Sequence, residues 1–284
     1  METWQSDLAS ECGVCEGEGI RYQQVQAGGC EILRVRVESE EGALRIGKPQ
    51  GRYVTLDCGD VCKLDSEDVE RVCRTLAVEI REMARRMSSK RLGTAFCVLV
   101  VGLGNAEMTA DALGPQTVRA LTVTRHLPNE ARGLLCESAC GIAALLPGVS
   151  GQTGIETVEL VQGAVYSIRP DLVIAVDALA ARSPDRLAAT VQLCDVGIRP
   201  GSGVGRARGA LTKEALGVPV MAIGVPTVIR CGALLADALG EARSEVPILW
   251  ERVRDLCVCP GEIDLVVGRA ALLLARSIEK AFCV

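Results

Sequence analysis

The 284-residue sequence predicts an α/β fold, a mainly parallel sheet flanked by helices. Three observations carry that reading. Runs of consecutive aliphatic residues, suited to strands buried on both faces, recur at Phe96–Val101, Asp171–Val176 and Val218–Ile223. Segments with helical spacing separate them, which is the alternation that builds parallel β-α-β units. Hydrophobic residues make up 49% of the chain and aromatic residues 2%, so one large core is expected and it is mostly aliphatic.

The elements follow in order. Residues 1–50 are polar, Gly-rich and charge-rich, with one short strand at Ile32–Val37; a second strand follows at Tyr53–Leu56. Asp65-Ser66-Glu67-Asp68 supplies cap candidates and first-turn acids. Val69, Val72, Leu76, Ile80, Met83 and Met87 then recur at intervals of three and four, which predicts an amphipathic helix over Ser66–Met87. Further helices are expected at Ala112–Val123, Glu156–Ile168, Ser183–Ala188, Ile229–Ala242 and Asp264–Ala281. The apolar stretch Ile263–Ala281 is interrupted or flanked by Asp264, Arg269, Arg276, Glu279 and Lys280, so it reads as a core-packing helix. The longest apolar runs fall short of the ~20 residues that span a membrane. METWQSDLAS lacks the basic start and apolar stretch of a secretory signal. A net charge of −5 without a long basic run argues against a general nucleic-acid surface.

The 14 cysteines are expected to be reduced thiols. The pairs Cys12/Cys15, Cys58/Cys62, Cys136/Cys140 and Cys257/Cys259 suggest metal at first sight, and Cys12-Gly-Val-Cys15 is the best candidate for a metal or redox role. Cys73, Cys97 and Cys194 fall at apolar positions and read as small core residues. The favoured reading has no metal and no cofactor. With His126 as the only histidine, multi-histidine zinc sites are excluded, and a Ser-His-Asp triad would have to use His126 itself.

Two aspartates stand out. Asp111 and Asp177 each follow a strand-like run and open an Asp-Ala-Leu step. Ligands and chemistry collect at the carboxyl ends of strands in open α/β sheets. Two carboxylates delivered there can share a proton, one acting as acid and the other as base. The competing reading is helix N-capping, which suits an Asp before Ala-Leu. A metal-binding role would recruit further oxygen ligands, with Glu107, Glu156 and Asp195 as candidates that form no clear pattern. Gly102-Leu103-Gly104-Asn105 follows a strand, but Glu107 occupies the third glycine position, so the dinucleotide fingerprint fails. Gly201-Ser202-Gly203-Val204-Gly205 reads as a loop that lets a peptide backbone approach closely. Gly201, Ser202, Gly203 and Gly205 are therefore candidates to line a substrate cleft. Ser202 is a poor nucleophile candidate, having no histidine near it in sequence.

Five blocks resemble the spore germination proteases: GRYVTLD (Gly51–Asp57), VGLGNAEMTADALGP (Val101–Pro115), PGVSGQTGIET (Pro147–Thr157), PDLVIAVDALAARS (Pro170–Ser183) and Gly197–Ile229. LTVTRHL (Leu121–Leu127) and CPGEID (Cys259–Asp264) also fit. The resemblance implies a cytoplasmic endopeptidase of the forespore and spore core. Such an enzyme starts the degradation of small acid-soluble, DNA-protecting spore proteins at germination. It implies an aspartic-type hydrolase whose essential aspartates fall on Asp111 and Asp177, a homotetramer, and a fold like that of the hydrogenase maturation endopeptidases. Ala110 stands where the family usually has Pro, and the region between Ile229 and Cys259 is shorter than usual. Ser6-Asp7-Leu8-Ala9-Ser10-Glu11 resembles the family's own processing site. That implies a zymogen cutting itself between Asp7 and Leu8, with residues 1–7 as propeptide and 8–284 as a single peptidase domain. The rival readings are a metal-dependent peptidase using the same carboxylates and a non-catalytic binder of spore proteins.

Overall fold

The computed structural model describes residues 6–12, 17, 19–136, 139–200, 209–239, 251–253 and 255–283. Its strands are β1 (Ile20–Ala27), β2 (Cys30–Val37), β3 (Gly51–Asp57), β4 (Cys97–Gly102), β5 (Gly141–Leu145), β6 (Leu172–Ala181), β7 (Thr190–Cys194), β8 (Val220–Arg230) and β9 (Cys257–Val258). They form a nine-stranded sheet in the order β1-β2-β3-β7-β8-β6-β4-β5, with β9 paired to β8. One half, β8-β6-β4-β5, is parallel. The other half, β1-β2-β3-β7, is antiparallel and joins β8 through an antiparallel β7. The sheet is therefore mixed, which corrects the expectation of a mainly parallel one.

In the antiparallel half, β2 and β3 contain the strands expected at Ile32–Val37 and Tyr53–Leu56, whereas β1 escaped the sequence pattern for a physical reason. β1 is a solvated edge, IRYQQVQA, with only its first residue buried and no apolar alternation to read. Its pairing to β2 is set by Gly28-Gly29 (φ 57° and 77°), a two-residue turn that needs positive φ at both positions.

The helices are α1 (Glu40–Ile46), α2 (Ser66–Met87), α3 (Leu113–Ala120), α4 (Asn129–Leu135), α5 (Ser150–Thr153), α6 (Thr157–Ile168), α7 (Lys213–Leu216), α8 (Cys231–Leu239) and a C-terminal helix (Ile263–Phe282). Helix α2 has the bounds its spacing predicts, and Asp65 Oδ1 caps it by accepting from Asp68 N at 2.8 Å. Helices α2, α3 and the C-terminal helix cover one face, burying Leu76, Ile80, Leu274 and Ile278 against Val98, Val100 and Ile174. Phe96 stacks on Phe282 with ring centroids 6.5 Å apart. On the opposite face Val161, Val165 and Leu216 pack against Leu99, Val101, Val173 and Ala175.

Two strands outrun their expected ends. β6 continues through Asp177 to Ala181, and β8 to Arg230, paired from Val173↔Val220 to Ala181↔Ile229 with an irregularity between Leu179 and Ala180. Ala-Leu-Ala-Ala has good helix propensity, but the β8 ladder overrides it. The helix expected at Ser183–Ala188 is consequently a single 3-10 turn, Pro184–Arg186. Ile229 and Arg230 belong to β8, not to the helix after it, and the part of that expected helix beyond Leu239 lies outside the described residues.

Candidate active site

Asp177 sits inside β6 rather than after it, and is 7% exposed. Its Oδ1 accepts from Ala178 N at 2.9 Å. It pairs with Gly224 of β8, and Gly224 pairs with Gln192 of β7. Residues paired across neighbouring strands share a face. Asp177 and Gln192 thus flank a glycine on one face, two interstrand spacings, about 10 Å, apart at their backbones. Glycine is required between them, because a Cβ on Gly224 would lie 2.5 Å from the carbonyl oxygen of Asp177.

Asp111 reaches the same neighbourhood from the loop after β4. It ends the 3-10 turn Thr109–Asp111, and its Oδ2 accepts from Asn105 N at 2.7 Å. Asn105 Oδ1 in turn accepts from Glu107 N at 3.0 Å and Gln152 Nε2 at 3.1 Å. The buried Thr227 hydroxyl donates to the Ala110 carbonyl at 2.7 Å, pinning this turn to β8. Gly104 adopts φ 106°, and a Cβ there would strike the Asp111 carbonyl. The GLGN turn therefore folds the loop tightly around Asp111. Neither aspartate caps a helix: Ala112 stands at the start of α3, and Asp177 lies within a strand.

Burial pushes the Asp177 carboxyl well above the usual carboxylate range, and the charges of Asp111 and then Asp7 push it further. Burial and the two neighbouring carboxylates therefore both favour the protonated form of Asp177.

The third carboxylate belongs to the N-terminal segment. Asp7 N donates to Ala180 O at 3.0 Å, and Asp7 Oδ2 accepts from Ala180 N at 2.9 Å. Leu8 is fully buried among Leu179, Ala181, Ile229 and Ala233. Ala9 is buried beside Val35, Tyr53 and Cys194. Glu11 accepts from Arg182 N at 2.7 Å and Ser183 N at 2.8 Å, and the Ser6 hydroxyl also donates to it. The six-residue stretch singled out in the sequence is thus seated on the end of the strand that carries Asp177.

The remaining candidates disperse. Gly201, Ser202, Gly203 and Gly205 lie outside the described residues, as does Cys15. His126 is exposed in the turn before α4. Asp195 accepts from Arg52 N at 2.7 Å, and Glu156 forms a capping box with Glu159 on α6, so both have structural tasks. Among the described residues no three His, Cys, Asp or Glu side chains are grouped to hold a metal ion. The described cysteines are free thiols, and burial raises the Cys194 thiol to about 11 and the Cys58 thiol to about 12. Sequence reasoning missed Gln192, Lys48 and Asn105. No motif marks the first two, since β7 and the loop after α1 converge on Asp7 only through the antiparallel half of the sheet.

A family model described as Germination protease matches residues 4–241. A germination protease of Caldanaerobacter subterraneus subsp. tengcongensis is 38% identical, covering 98% of this chain and 93% of its own length. One of Clostridium acetobutylicum is 36% identical over 99% of this chain and 95% of its own length. One of Bacillus velezensis is 43% identical over 79% of this chain and 60% of its own length.

Proposed function

The chain belongs to the germination protease family and is an endopeptidase, and we propose that it is an aspartic-type enzyme acting through Asp111 and Asp177. One observation carries the mechanism: a buried carboxyl whose surroundings favour its protonated form lies within electrostatic reach of a second carboxylate, and an Asp-Leu peptide is seated on the end of the strand that carries it. Asp111 takes a proton from a bound water, and the water oxygen bonds to the scissile carbonyl carbon. Asp177 polarises the carbonyl and gives its proton to the leaving nitrogen as the C–N bond breaks. The proton gained by Asp111 then returns to Asp177, directly or through the next water, restoring the pair.

The substrates in this reading are small acid-soluble, DNA-protecting spore proteins, cut during germination in the spore core. The enzyme is made as a zymogen that cuts itself between Asp7 and Leu8, leaving residues 8–284 as one peptidase domain that assembles as a homotetramer. The burial of Leu8 and Ala9 and the seating of Glu11 support a groove that reads acid, apolar, Ala, any residue, Glu in both the enzyme and its substrates. A helical layer on both sheet faces supports the likeness to the hydrogenase maturation endopeptidases. No described helix is long and apolar enough to cross a membrane, and the net charge of −5 supports a protein partner rather than direct nucleic-acid binding.

The test is incubation of the purified chain near pH 5.5, followed by N-terminal sequencing and addition of a spore protein substrate. The expected result is a new N-terminus, Leu-Ala-Ser-Glu, with cleavage of the substrate after an acidic residue. Both should be absent in Asp177→Asn. An intact N-terminus and intact substrate would overturn the reading.

A further inference from the structure

The contacts of the N-terminal segment converge on one carbonyl. Asp7 O accepts from Gln192 Nε2 at 2.7 Å and from Lys48 Nζ at 3.2 Å. Lys48 Nζ also donates to Ser6 O at 2.7 Å, so the ammonium is held over the peptide on the amino side of Asp7. Gln192 Oε1 accepts from Ala9 N at 2.6 Å, so one side-chain amide brackets Leu8 and fixes the peptides on both sides of it. Asp7 is therefore tied to β6 through its N–H and carboxylate, and to β7 through its carbonyl. It thus links Ala180, three residues beyond Asp177 on β6, to Gln192, which lies across Gly224 from Asp177.

This arrangement exceeds what seating a tail requires. Two donors on one carbonyl oxygen, one of them cationic, stabilise the negative charge that grows on that oxygen when its carbon is attacked. Gln192 is 7% exposed, so its donation takes place where little water competes. The carbonyl is also the one whose peptide bond the self-processing reading places at the cut.

We propose that Lys48 and Gln192 are further catalytic residues, a clamp that stabilises the oxyanion at the scissile carbonyl in self-processing and in cleavage of substrate proteins. The proposal rests on the reading above that Asp7–Leu8 is cut by the aspartate pair. Attack of water on the Asp7 carbonyl carbon moves the carbonyl electrons onto oxygen, where both donors meet them. The electrons return as the Asp7–Leu8 bond breaks and Leu8 nitrogen takes a proton. Departure of residues 1–7 then frees Lys48 of both its carbonyl partners. Gln192 is freed only when Leu8–Glu11 leaves the groove, so a substrate's own acid-apolar-Ala stretch must displace this one.

The test uses the full chain with Lys48→Met, which keeps the aliphatic stem, and Gln192→Leu. Lys48→Arg restores the charge, and Gln192→Glu keeps an acceptor for Ala9 N while removing the donor. Mass spectrometry follows the appearance of the Leu8 N-terminus near pH 5.5. Steady-state kinetics use a synthetic peptide with the sequence of residues 2–12. Lys48→Met, Gln192→Leu and Gln192→Glu are each expected to slow self-processing and to lower kcat by roughly 100- to 1,000-fold, as loss of one oxyanion donor does. KM should stay within about threefold, and circular dichroism should be unchanged; Lys48→Arg should recover at least about a tenth of the rate. Wild-type kcat in Lys48→Met or in both Gln192 variants, or an effect confined to KM, would overturn the clamp. Asp177→Asn run in parallel separates the two levels. If Asp177→Asn is inactive while the clamp variants cut normally, the clamp alone is wrong. If the wild-type chain leaves Asp7–Leu8 intact, the clamp and the reading it rests on fail together.

Discussion

Replacing Gly224 by alanine tests whether the site depends on the strand that separates Asp177 from Gln192. The added Cβ would lie 2.5 Å from the Asp177 carbonyl oxygen and 2.6 Å from Leu179 Cγ. The Leu179 side chain can rotate away, but the carbonyl is backbone. Relief to ordinary contact near 3.4 Å requires β6 and β8 to part by roughly 0.9 Å at Asp177. A misplacement of about 1 Å at a reacting group costs roughly 100-fold in rate. Overpacking of this kind costs about 1–3 kcal/mol of stability. The assay is kcat and KM on the residue 2–12 peptide, with thermal unfolding alongside. Gly163→Ala is the control: Gly163 lies in α6 with nothing within 4 Å of an added Cβ. It should leave kcat unchanged and gain about 0.5–1 kcal/mol from helix propensity. A Gly224→Ala enzyme with wild-type kcat would refute the argument that Asp177 works from this position in β6.

Four further outcomes are expected. Asp111→Asn and Asp177→Asn should each lower cleavage by roughly 100- to 10,000-fold, as loss of a general acid or base does, with circular dichroism unchanged; full activity in either would refute the pair. Asp177→Asn should also melt higher than wild type near pH 7 but not near pH 3. The raised folded-state pKa of Asp177 leaves no penalty below the unfolded value near ~3.9. As pH climbs from there toward the raised value, the unfolded chain ionises while the folded one does not, and the wild type loses stability; a Tm gain independent of pH would contradict this. Leu8→Ala removes a fully buried side chain, which is worth about 2–3 kcal/mol and hence roughly 30- to 150-fold in self-processing rate, read by the same N-terminal mass assay. His126→Gln should keep turnover within about tenfold, and a near-total loss would bring histidine chemistry back.

The sequence by itself determined the helix Ser66–Met87 and the parallel strands β4, β6 and β8, and it singled out the two aspartates as candidates. Each of these is a local signal: apolar spacing, a run of aliphatic residues, or an acid beside a tight turn. Its resemblance to a family processing site also singled out Ser6–Glu11. Tertiary structure decided where that stretch goes and what meets it. Asp177 lies within a strand rather than at a helix start because β8 pairs with β6 as far as Ala181, a partner that no local pattern announces. Gln192 comes from a five-residue strand placed beside β8 by the antiparallel half of the sheet, and Lys48 from the loop that follows α1. Their convergence on Asp7 joins residues more than 40 and more than 180 positions apart. The raised pKa of Asp177 is likewise a tertiary property. Its largest cause is burial, which exists only once the sheet has folded around a side chain that would ionise freely in the unfolded chain.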